Sequence, residues 1–142
     1  MSKTYKDWLE KHYPETAEEA AIKSRENNDN GLYAAKHSLK KWEGARKKIL
    51  DKYDMYARGT EIYDYYDYRS IIDFYSGNCS LCQYTVRGDC VYCPRAEANG
   101  CNCHAAYKSM IDTDSPRKML IWLHKTVKYL EAKQTKEGEH FV

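Results

Sequence analysis

LYAAKHSLKKWEGARKKILDKY, residues 32 to 53, carries the first strong helical pattern in the chain. Leu32, Ala35, Leu39 and Trp42 recur at spacings of three, four and three, which puts them on one face of an α-helix. Ala45, Ile49 and Tyr53 continue a similar stripe past Gly44. The pattern therefore predicts either one helix weakened at that glycine or two helices meeting there. The lysines fall mainly off the stripe, where water accepts them.

Upstream, Trp8, Leu9 and Tyr13 precede Pro14, and a short helix ended by the proline is expected. Thr16 and Glu19 have the spacing of a capping box ahead of an alanine-rich helical run. Asn27 to Gly31, NNDNG, reads as a turn, since these residues tolerate the left-handed conformations that end helices. Downstream, Ser115 is a good N-cap and Pro116 suits the first helical position. Leu120, Leu123, Val127 and Leu130 then form a stripe that Met119 and Trp122 widen, and this helix is expected to end near Lys133.

EIYDYYDYRSIIDFY, residues 61 to 75, is ambiguous. Its aromatic and β-branched content favours strand, but the adjacent pairs Tyr65-Tyr66 and Ile71-Ile72 break the alternation. A helix is equally permitted from about Ser70. The simplest reading is an aromatic layer packed on the helices with its aspartates alternating outward.

A chain of 142 residues fits a single domain with a core that needs no disulfides. Fourteen tyrosines supply much of the 42% apolar content, so that core is modest and aromatic-rich. There is no run of eighteen apolar residues and no basic-then-hydrophobic N-terminus. No membrane span or secretory signal is expected, and a reducing cytoplasm follows as the compartment. Charge is unevenly spread. Residues 32 to 58 carry eight Lys/Arg against three Asp/Glu, a local +5, and residues 116 to 133 carry five against one, a local +4. Residues 60 to 75 run to −3. Such blocks usually make solvated helix faces; a nucleic-acid footprint requires the two basic segments to converge in the fold.

All six cysteines lie between residues 79 and 103. Cys79 and Cys82 form one C-x-x-C pair, Cys90 and Cys93 a second, and Cys101, Cys103 and His104 follow. Two such pairs supply the four thiolates of a tetrahedral zinc site, each at about 2.3 Å from the metal. In a reducing compartment clustered thiols read as metal ligands before disulfides. The expected ligands are Cys79, Cys82, Cys90 and Cys93. The alternatives are a site drawing on Cys101, Cys103 or His104, including a two-zinc cluster with bridging thiolates, an iron–sulfur cluster, or disulfides and free thiols. Gln83 to Arg87 could supply a strand after the first pair, with Gly88 and Asp89 at the hairpin turn.

Catalysis is not indicated. A shell of four cysteines is closed, whereas catalytic zinc keeps a position open for water. H-E-x-x-H, the H-x-E of zinc deaminases and glycine-rich phosphate loops are all absent, and the five histidines have no evident nucleophile to serve.

The order of Lys41-Trp42-Glu43-Gly44-Ala45-Arg46, Cys79-Ser80-Leu81-Cys82, Cys90-Val91-Tyr92-Cys93-Pro94 and a helix opened by Ser115-Pro116 resembles small cysteine-rich proteins of tailed bacteriophages over residues 32 to 133. That resemblance implies a viral origin, the cytoplasm of an infected bacterial host, and Cys79, Cys82, Cys90 and Cys93 as metal ligands. It brings no established activity. The Cys101-x-Cys103-His104 ending departs from the single trailing cysteine of the pattern.

The sequence thus predicts a mainly α protein: a single compact helical domain over 1–142 with an inserted Cys-rich zinc module. Its parts are a helical half at 1–58, an aromatic and acidic connecting segment at 61–78, the metal-binding module at 79–104, holding structural Zn²⁺ in a loop or small β-hairpin, and an amphipathic helix at 116–133. The first functional expectation is a non-enzymatic phage protein that binds a host protein, for host takeover or for inhibition of an anti-phage defence system. Nucleic-acid binding through the basic helices and the zinc module comes second. A small-molecule sponge or an enzyme comes third.

Overall fold

A computed structural model describes residues 4–59, 61–66, 70–73, 80–85, 108, 112, 113 and 115–139, with Cys82 and 135–139 described by backbone alone. The elements run α1 (Tyr5–His12), α2 (Ala17–Asn27), α3 (Leu32–Glu43), α4 (Lys47–Lys52), β1 (Met55–Arg58), β2 (Glu61–Asp64), β3 (Ser70–Asp73), α5 (Ser80–Tyr84) and α6 (Arg117–Glu139). The architecture is mainly helical, with one small sheet.

The N-terminal helices follow the local signals. Glu19 N–H donates to Thr16 Oγ1 at 3.1 Å, and the Thr16 N–H donates back to the Glu19 carboxylate at 3.3 Å, the reciprocal capping box. Asn28, Asn30 and Gly31 take positive φ and turn the chain from α2 into α3. Asp29, buried in that turn, accepts from Ser24 Oγ, Gly31 N–H and Tyr33 N–H at 2.7 to 3.0 Å.

At Gly44 the chain makes two helices. Its φ of −66° is ordinary, so the glycine is there for space. A Cβ at this position would lie 2.6 Å from His12 Cγ and 2.8 Å from Trp8 Cζ2. Without that Cβ, α1 closes onto the end of α3, and Trp8 Nε1–H donates to the Gly44 carbonyl at 2.9 Å.

The segment of unclear type is a sheet. Strands β1, β2 and β3 form an antiparallel meander in that order, with Met55 opposite Asp64, Tyr56 opposite Tyr63 and Ile62 opposite Ile72. Side chains alternate faces along a strand, so Asp64 shares the inner face with Ile62 and is only 4% exposed. The expectation of outward aspartates fails there. Tyr65 and Tyr66 take the outward role, 50% and 73% exposed.

One apolar cluster gathers Trp8, Trp42, Leu50, Met55, Ile62, Leu81, Met119, Leu123 and Leu130, and so joins α1, α3, α4, the sheet, α5 and α6. Among the lysines expected in water, Lys41 is the exception at 2% exposure. Its Nζ donates to the Asp73 carbonyl at 2.6 Å and lies 5.2 Å from the Tyr13 ring centre, which ties β3 to the α1 side of the helical layer.

Two boundaries differ from expectation. Gln83 and Tyr84 close helix α5 and do not open a strand. Leu81 is fully buried, its carbonyl accepts from the Thr85 N–H and hydroxyl, and Arg25 donates to the Gln83 and Tyr84 carbonyls at 2.7 and 3.0 Å. Helix α6 runs past Lys133 to Glu139. Leu130 stays in the core, and Gln134 one turn later donates to the Asp29 carbonyl, so tertiary contact carries the helix on.

Candidate functional site

Of the sequence-derived ligands, only the Cys82 backbone is described, within α5; Cys79, Cys90, Cys93, Cys101, Cys103 and His104 lie outside the described residues, as does the hairpin placed at 88 and 89. Among the described residues no group of three or more His, Cys, Asp and Glu is placed to hold a metal ion. Helix α5, which carries Cys82, is firmly seated. Ser80 Oγ donates to the Ala34 carbonyl at 2.6 Å and lies 2.6 Å from Ser38 Oγ, locking α5 against α3. Arg25 fixes its other end to α2.

The charged surface has a clearer geometry. Helix α6 packs antiparallel to α3: Gln134 reaches Asp29 at one end, and His124 Nε2 lies 3.6 Å from Glu43 Oε1 at the other. The short turn after α3 keeps the first turn of α4 beside that second end. The first turns of α4 and α6 therefore meet. Between them lies a cavity of about 400 Å³ lined by Arg46, Lys47, Lys48, Arg117 and His124, with Leu120 and Ile121 on its apolar side. None of its described lining residues is acidic. Of the described carboxylates, Asp51 pairs with Lys47 at 3.1 Å and Glu43 lies 3.6 Å from His124.

Helix stability does not account for this arrangement. The first turn of a helix favours Asp and Glu, because its unpaired N–H groups carry partial positive charge. Neither α4 nor α6 has an acid there. Arginines and lysines stand in their place, against the local preference. Departures of this kind concentrate where function overrides stability.

A second cavity, of about 340 Å³, adjoins the first and shares Lys47, Ser115 and Pro116 with it. Its wall carries Tyr56 from edge strand β1 and Tyr65 from the turn after β2, their ring centres 4.7 Å apart. Tyr56 also stacks on Tyr63, with centres 5.3 Å apart and planes within 17°.

Two other polar clusters are structural. A shallow cleft of about 540 Å³ between the α1–α2 corner and β3 is lined by Glu15, Glu19 and Asp73, with no Lys, Arg, His or Cys among its described lining residues. Burial tends to raise the Glu15 pKa, yet hydrogen bonds from Lys23 and Tyr33 hold it below its usual value. That carboxylate braces α2 and α3: Lys23 Nζ lies 2.6 Å from one oxygen, and the Tyr33 hydroxyl donates to the other at 2.5 Å. His12 Nδ1–H donates to the Lys40 carbonyl at 3.0 Å, which fixes the ring as part of the α1–α3 packing. No nucleophile is paired with a general base among these contacts.

Sequence reasoning identified both basic segments but could not bring them together. The antiparallel α3–α6 packing does that, and only three-dimensional contact reveals it. Among the described residues no helix is long and apolar enough to cross a membrane. No protein-family profile, curated protein or solved structure matches this chain, so the likeness to small phage proteins stands on the short motifs quoted above alone.

Proposed function

We propose that this chain is a non-enzymatic nucleic-acid-binding protein that docks a phosphate backbone in the basic groove between the first turns of α4 and α6. The observation behind this reading is the convergence of Arg46, Lys47 and Lys48 with Arg117 around one cavity that has no acid among its described lining residues. Separate basic helix faces are ordinary solvated surface; a shared groove concentrates positive potential where a polyanion can lie. In this reading the cysteine-rich module is a structural zinc clasp held by Cys79, Cys82, Cys90 and Cys93. Its support is the spacing of the two pairs.

The test is an electrophoretic mobility shift of labelled oligonucleotides at low salt, with the wild type and an Arg46→Glu/Lys48→Glu/Arg117→Glu variant. Retardation by the wild type and its loss in the variant are expected. Equal retardation by both, or none by either, contradicts the reading.

A protein partner is the second reading. Ile121, 56% exposed inside the groove, and the outward Tyr65 and Tyr66 give such a partner apolar anchors. A bacterial host protein, bound for takeover or to block a defence system, is the form this reading takes. Stoichiometric capture of one host protein by the full chain, lost in an Ile121→Asp variant, is its expected signature.

A further inference from the structure

Resting on the nucleic-acid reading above, we infer that the groove's ligand is single-stranded, with its backbone on the α4–α6 cations and its unstacked bases on the tyrosine wall of the adjoining cavity. Binding of single strands combines a cationic groove that follows the phosphates with aromatic faces on which bases stack. Both parts are present and contiguous. The basic cavity and the tyrosine cavity share Lys47, Ser115 and Pro116, so the two lie side by side.

The tyrosines are not all accounted for by packing. Tyr56 and Tyr63 are directly opposed across β1 and β2, an ordinary cross-strand pair. Tyr65 lies beyond the ladder, is half exposed, and turns its ring against Tyr56 at the cavity wall. Tyr66, still more exposed, is held by a hydrogen bond from its hydroxyl to Asp54 at 3.2 Å. An open aromatic surface beside a cationic groove suits bases that are free to leave their stack. In a duplex those faces are buried within the helix, and only the phosphates would find a partner here. Among the described acids here, Asp51 lines the tyrosine cavity and pairs with Lys47, Asp54 accepts from Tyr66, and Glu61 accepts from Tyr63 at 2.6 Å on the outer face of the sheet. None of the three is among the described residues that line the basic cavity.

The experiment is fluorescence anisotropy of the full-length chain with labelled twenty-nucleotide oligo-dT, oligo-U and a duplex of the same length. Single strands are expected to bind at least about tenfold tighter than duplex, with oligo-dT and oligo-U distinguishing DNA from RNA. Tyr65→Ser is expected to cut single-strand affinity about tenfold, toward that of duplex, and Tyr65→Trp to restore it. Tyr129→Ser, at an exposed α6 tyrosine that lines neither cavity, is the folded control and leaves affinity unchanged. Duplex binding as tight as single-strand binding, or indifference to Tyr65→Ser, overturns the inference while the basic-groove reading survives. No binding of any probe at low salt overturns both.

Discussion

Gly44 shows how a single residue sets the geometry of the helical layer. In the sequence it reads as a weak point, because glycine lowers helix propensity. The structure gives it a steric reason: His12 and Trp8 occupy the space a Cβ would fill. Gly44→Ala is accordingly expected to cost about 1–3 kcal/mol by overpacking, seen as a lower midpoint in urea denaturation. The propensity scale alone predicts the opposite sign. His12, on the other side of that contact, adds a pH dependence. Burial holds its imidazole below the usual 6.5; Lys11 and Lys40 push the same way, against the hydrogen bond to the Lys40 carbonyl and the charge of Glu43. The folded state thus binds this proton less tightly than the unfolded chain. Its contribution to stability is complete above 6.5 and is lost as pH falls below that value. Urea midpoints measured from about pH 7 down to about pH 5 should fall for the wild type and fall less for His12→Gln. Neither the buried role of His12 nor that of Lys41 was legible in the sequence, since each depends on a partner 28 or more residues away.

The longer helices were legible, the sheet much less so. Leu32 to Glu43 and the helix after Pro116 carry enough turns for a 3.6-residue period to stand out, and Thr16 with Glu19 marks the start of α2 by chemistry alone. Each strand has only four residues, too few for alternation to declare itself, and the inward Asp64 breaks the pattern that remains. The cations at the starts of α4 and α6 raise a different question, because they are placed against the dipole of their own helices. Replacing Lys48 and Arg117 with glutamine should therefore leave the thermal midpoint unchanged or slightly raised while oligonucleotide binding weakens. A clear fall in the midpoint would mean that these residues serve the fold and not a ligand.

For the whole molecule, antiparallel α3–α6 packing is the decisive step. It brings a basic segment near residue 46 to one near residue 117, and the turn after β2 sets tyrosines beside them. The sequence contained both segments, but convergence is a property of tertiary contact and has no local signature. The cysteine spacing stands in the sequence alone, and the metal chemistry proposed for it is testable separately. Purified protein is expected to hold about one zinc per chain, lost in Cys79→Ser and largely kept in Cys101→Ser. Equal loss in both variants would move the ligand set toward Cys101, Cys103 and His104. The central claim, that the α4–α6 groove holds a phosphate backbone, is met most directly by the salt dependence of oligonucleotide affinity. Because Lys47 is already paired to Asp51, the other three cations, Arg46, Lys48 and Arg117, predict on a single strand a slope of log K against log salt of about −2, almost wholly lost in an Arg46→Gln/Lys48→Gln/Arg117→Gln variant. An identical slope in the two proteins, or affinity that does not respond to salt, would contradict it.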